Sequence, residues 1–128
     1  MAFGTLAIDT LSTSGQISGT AVSVDADYLA YGSAKAWVIG SNAAVLGNSL
    51  NISSGTDDGT GTYHYDYTAA LANANFAGTV TSEVAGTIGS LDNGAHSKTT
   101  TNVFVATTNS GASAEDRSHS AKINGDLA

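Results

Sequence analysis

The residues able to do chemistry in this chain are few and scattered. Asp57 and Asp58 are adjacent carboxylates, His64, His96 and His119 are its imidazoles, and serines are plentiful, so a carboxylate pair, a metal site and a Ser/His/Asp triad all have their ingredients. None has its spacing. Neighbouring residues in a turn point apart, whereas the two carboxylates of a glycosidase face each other across roughly 5 to 9.5 Å. A calcium ion held by Asp57, Asp58 and nearby loop oxygens would need the alternating ligand series of a calcium loop, which the segment lacks. The histidines have no metal-ligand spacing along the chain; on a trimer axis one histidine, His64 or His119, would be present three times, but a solvated face is the simpler reading. No nucleophile elbow accompanies any serine, and the Gly-rich stretches lack a following helix with Lys that would cradle phosphate. The expectation is therefore a non-enzyme without catalytic, cofactor-binding or metal-ligating residues, and without cofactors.

Asp57, Asp58, Gly59 and Gly61 instead suit a tight reversal, through side-chain-to-backbone hydrogen bonds and tolerance of positive φ. The strand that follows is the clearest in the chain: Tyr63, Tyr65 and Tyr67 recur at every second residue on one face, with His64 and Asp66 on the other. Residues 53–67 thus read as a hairpin whose outgoing strand brings a large share of the aromatic core. Trp37, flanked by small residues, and Phe76 and Phe104 join the three tyrosines as expected core or subunit-interface residues.

Leu, Ile, Val and Phe together are 25 of 128 residues, and Ala, Gly, Ser and Thr are 68. So sparse a supply of large apolar groups approaches the disordered range. Against disorder, only 12% of residues are charged, there is no Pro, and the apolar residues alternate with Thr and Ser in short runs. A thin core is helped by burying further surface between subunits, which leads to an expected homo-oligomer. The net charge of −7 and the scattering of the four cations, Lys35, Lys98, Arg117 and Lys122, exclude a phosphate-neutralising patch and hence nucleic-acid binding. Without Cys there is neither disulfide stapling nor a thiolate zinc cluster. No secretory signal and no bilayer-spanning run is legible, so no membrane insertion is expected.

Along the chain, residues 3–11 read as a short strand and residues 12–19 as a polar loop. Val22 and Val24 alternate, and residues 25–29 fit either one helical turn or a strand edge. Residues 43–52 form a strand pair or a bulged strand leading into the hairpin. The Ala-rich run 68–75 has the composition of one helical turn, although Asn73 and Asn75 oppose it. A strand follows at Phe76 to Thr81, a turn at Asp92-Asn93-Gly94, and a strong strand at 99–107. Residues 109–116 form a polar loop with a mobile tip. In a last strand Ser118, Ser120 and Lys122 alternate with His119, Ala121 and Ile123, with Leu127 as an end anchor. About eight short strands give an all-β fold, an antiparallel β-sandwich or jelly-roll-like domain over residues 21–128, with residues 1–20 as an extended N-terminal arm or anchoring segment.

Three strings resemble a module of tail-fibre and other virion surface proteins of tailed bacteriophages. They are Gly32-Ser33-Ala34-Lys35-Ala36-Trp37-Val38; Asn51-Ile52-Ser53-Ser54 with Asp57-x-Gly59-Thr60-Gly61-x-Tyr63; and Gly125-Asp126-Leu127. The resemblance covers residues 32–80 well and the C-terminus weakly; it departs at Ile39-Gly40, where the family commonly has Asn-Phe, and at Ala72, where it commonly has Pro. It implies a β-sandwich that forms a homotrimer on the phage particle and touches the host surface or other virion proteins of tail or capsid. Two roles follow: a tail-fibre or spike component whose loops 54–61 and 109–116 contact host surface glycan or protein, or a capsid decoration, head-fibre or adaptor protein with only a structural role. A sugar hydrolase is a distant third.

Overall fold

The computed structural model describes residues 32–91 and 98–125. The arm at 1–20, the strand and helix expectations up to residue 29, the 92–94 turn, His96 and Leu127 lie outside the described residues. The described residues form eight strands: β1 (Ala34–Gly40), β2 (Leu46–Leu50), β3 (Ile52–Gly59), β4 (Thr62–Tyr67), β5 (Ala77–Ser82), β6 (Thr87–Leu91), β7 (Asn102–Asn109) and β8 (His119–Asn124). They form two four-stranded sheets, β2-β1-β8-β5 and β3-β4-β7-β6, with every pairing antiparallel. The all-β sandwich expected from the alternation is thus the observed architecture, and the described residues contain no helix long and apolar enough to cross a membrane.

Alternation decides which side chains meet between the sheets. From β4, Tyr63, Tyr65 and Tyr67 point inward; from β7, Val103 and Val105; from β1, Ala36 and Val38; from β8, Ala121 and Ile123. Leu71 and Phe76 seal the interior from the β4–β5 connection. Full burial of an aliphatic side chain such as Val38 or Ile123 is worth about 1.5–3 kcal/mol each, so a core this small has little to spare. At the end of β1 the inward position must lack a side chain because Tyr65 fills the space: a Cβ on Gly40 would lie 1.9 Å from the Tyr65 hydroxyl.

The 43–52 segment crosses between sheets at its end: residues 46–50 are β2 of the first sheet, and Ile52 begins β3 of the second. β2 pairs with β1, β3 pairs with β4, and Asn51, at φ 55°, turns the chain from one sheet into the other. Neither a strand pair nor a bulged strand describes it; it is one extended segment bent at a corner. The Ala-rich run 68–75 is not a helical turn either. Its backbone is spent on the β6–β7 side, where the Leu71 N–H donates to the Thr100 carbonyl at 2.8 Å, and burial of Leu71 outweighs the weak helical preference of the run.

Tracing strand directions separates two ends. At the base, the start of β1 lies beside the end of β8, with the Asn124 side chain donating to the Gly32 carbonyl at 3.0 Å, so both ends of the domain leave together. The tip carries the connections 41–45, 60–61, 83–86 and 110–118.

Candidate functional site at the tip

The β3–β4 reversal is closed by Gly59 and Gly61, at φ 131° and 69°. Asp57 accepts from the Gly59 N–H at 3.0 Å, the side-chain turn bond expected of it, whereas Asp58 reaches across to His64 Nδ1 at 2.6 Å. The adjacent carboxylates therefore diverge. Gly61 is pressed beneath the β7–β8 loop: the Thr107 N–H donates to its carbonyl at 2.8 Å, and its own N–H donates to Asp116 Oδ1 at 2.6 Å. Any Cβ there would lie 2.4 Å from the Thr107 carbonyl oxygen.

Loop 110–118 is fastened at both its ends. Asn109 Oδ1 accepts from the Gly111 and Ser113 N–H groups, and the Thr107 hydroxyl donates to the Glu115 carbonyl at 2.5 Å. The Ser118 carbonyl accepts from Glu83 N–H, tying in the β5–β6 turn. Arg117 pairs with Glu115. Asn109 supplies an acceptor that turns the loop back on itself, so the exposed stretch 110–114 stands on a hydrogen-bonded base.

Beneath the loop lies a buried polar cluster. His119 is fully buried, its Nδ1 2.8 Å from the Arg117 carbonyl and its Nε2 2.8 Å from the Tyr65 hydroxyl. A carbonyl can only accept, so Nδ1 carries the proton and Tyr65 donates to Nε2. Burial lowers the His119 pKa, against smaller upward pulls from the Arg117 carbonyl and Glu83. The Tyr63 ring stacks 4.6 Å from His119, and its hydroxyl accepts from the Arg117 N–H at 3.0 Å. Burial pushes both phenols above their ordinary range. Both nitrogens of His119 are engaged, one by Tyr65 and one by the Arg117 carbonyl, so the cluster fastens the tip to the core.

Tyr63, Tyr65, Tyr67 and Phe76 lie in the core. Trp37 and Phe104 do not: each is half-buried on the outer face of its sheet, Trp37 beside Leu50 and Lys122, Phe104 beside His64 with rings 5.5 Å apart. Alternation explains Trp37, since Ala36 and Val38 on either side take the inward positions. Asp66 accepts from the Ser54 hydroxyl at 2.7 Å on the second sheet's outer face. His119 is too deeply buried to stand on a subunit axis, and among the described residues no three His, Cys, Asp or Glu side chains converge to hold a metal ion.

Thr107, Glu115, Asp116 and His119 form the tip network and were not recognised as such from sequence. The signal for His119 was its alternation with Ala121 and Ile123, a pattern of burial; for Thr107 it was the continuation of Val103 and Val105. No protein-family model, curated protein or solved structure matches the chain.

Proposed function

We propose that the chain is a structural virion protein of a tailed bacteriophage, a homotrimeric tail-fibre or spike component on the particle surface that mediates host-surface attachment and catalyses nothing. The observation that carries this reading is the polarity of the sandwich: the described domain's two ends, at Gly32 and Asn124, lie together at the base, and the opposite tip carries the connections 41–45, 60–61, 83–86 and 110–118, among them both loops named for contact, while the 68–76 connection stays at the base. A domain so built projects its loops away from whatever residues 1–31 are joined to. The two longer strings that resemble the phage module fall on β1, β3 and β4, which lie together on one side of the sandwich. Ile39, Leu50 and Ile88, exposed on outer faces at 41%, 46% and 57%, supply apolar surface for subunit packing.

A capsid decoration, head-fibre or adaptor role is the second reading. It is favoured by the position of Trp37, which lies on a sheet face suited to a neighbouring subunit and not among the tip loops, where an aromatic platform for glycan would be expected. A cryo-EM map of the particle separates the two: density for this chain at the tail tip is the expected result, and density on the head overturns attachment in favour of decoration. Binding of the purified protein to host cells is the companion assay. A folded oligomer that binds no cells supports the purely structural role.

A further inference from the structure

The charges of the strands are sorted by sheet. In β1, β2, β5 and β8 the only Lys, Arg, Asp or Glu residues are Lys35 and Lys122; in β3, β4, β6 and β7 they are Asp57, Asp58 and Asp66. Two of the four cations of a chain with net charge −7 are thus collected on one sheet. Lys122 lies opposite Trp37, and Leu50 flanks Trp37 on the other side, making a basic and aromatic row across the first sheet's outer face. The second sheet answers with Asp66 beside Ser54, and with Phe104 next to His64.

We propose that copies of this chain associate head to tail, the Lys35/Trp37/Lys122 face of one against the Asp66/Phe104 face of the next. A two-fold contact of either face with itself would bring lysines near lysines or Asp66 near Asp66, and like charges across an interface oppose association. A heterologous contact pairs opposite signs and closes into a ring when the rotation permits. The geometry suits closure. Lys35 on β1 and Asp66 on β4 both lie toward the side where β2 and β3 form the sheet edges, so the two patches flank one edge of the sandwich. With that edge turned inward, each domain is a wedge between two neighbours. Lys35 and Asp66 also share the base half of the sandwich, as subunits around an axis parallel to the strands require.

The inference rests on the oligomeric part of the virion reading and assigns its surface. The test is light scattering after size-exclusion chromatography on the full chain, with Lys122→Glu, Lys35→Glu, Asp66→Lys and the double variant Lys122→Glu/Asp66→Lys. All three positions are outward-facing, and a thermal melt checks that each variant folds. The expected result is a trimer in the parent protein, association weakened at least tenfold (about 1.4 kcal/mol or more) in each single reversal, and recovery to within about threefold in the double variant. A trimer indifferent to the single reversals, or a double variant no better than they are, overturns this contact and leaves the trimer standing. A parent protein that is monomeric at tens of micromolar overturns both.

Discussion

Tyr65 and Tyr67 stand two residues apart on the same face of β4, and both are buried, yet their hydroxyls meet opposite conditions. Toward the tip, Tyr65 donates to His119 within a cluster that includes Tyr63, Thr107 and the backbone of Arg117. Toward the base, the Tyr67 hydroxyl is buried without a hydrogen-bond partner among Leu71, Phe76 and the aliphatic side chains, its ring edge-on to Phe76 at 6.5 Å. Both rings are buried, but only one hydroxyl is satisfied. At the tip the buried phenols are tied into directional bonds that fix one arrangement of three connections; at the base the hydrogen bonds run along the chain's outer connections and leave the Tyr67 hydroxyl out. Substitutions at the two ends should therefore differ in sign as well as in size.

Closing the tip is the step most sensitive to a single atom. Gly61→Ala is expected to destabilise by about 3 kcal/mol, from the left-handed backbone and the collision with the Thr107 carbonyl together. Gly59→Ala, also at positive φ but facing open space, isolates the backbone part and should cost less. Urea unfolding of the two variants measures the difference; equal losses would remove the packing of Gly61 beneath the loop from the account.

Next in size is the bond inside the cluster. Tyr65→Phe leaves the His119 Nε2 acceptor buried without a partner, a loss of about 1–3 kcal/mol, read as a shift of the urea midpoint at pH 7.5. Unchanged stability would mean that water or a rotated ring replaces the hydroxyl.

The same cluster sets a pH dependence. His119 is held neutral by burial, with the Tyr63 and Tyr65 rings, the Arg117 carbonyl and the Glu83 carboxylate as the groups that act on it. In the unfolded chain it takes a proton near about pH 6.5. Between that value and its lower folded pKa the unfolded state binds the extra proton, so stability falls as the pH drops below about 6.5. The pH slope of the unfolding free energy should be shallower in His119→Leu than in the parent protein; parallel slopes would assign the acid sensitivity elsewhere.

How far these ends could be read from sequence follows from what periodicity carries. The period-2 runs at 63–67, 103–107 and 119–123 gave away three of the four central strands, because burial on one face leaves a mark in residue type. Direction of travel between sheets leaves none. Asn51 sits between Leu50 and Ile52, and nothing in that triplet says that its two neighbours join different sheets. Size alone left Trp37 open between core and subunit interface; the alternation with the inward Ala36 and Val38 takes it out of this chain's core and onto the outer face. The tip network escaped because a hydrogen bond between Tyr65 and His119 spans 54 residues and has no local pattern.

The smallest expected effect is the sharpest test of the contrast. Removing a hydroxyl from a core tyrosine usually destabilises, because it strands a partner. At Tyr67 no partner exists among the described residues, and the phenol is held far above its ordinary pKa by burial alone. The folded state there forgoes hydration of a polar atom and receives no bond in return, so Tyr67→Phe should be neutral or stabilise by up to about 1 kcal/mol. The ring, and with it the edge-on contact to Phe76, is retained. Paired with Tyr65→Phe under the same conditions, the two substitutions delete the same atom from the same strand, and opposite shifts of the urea midpoint are the expected outcome. If Tyr67→Phe loses as much as Tyr65→Phe, its hydroxyl has a partner after all, and the base is as polar in its construction as the tip.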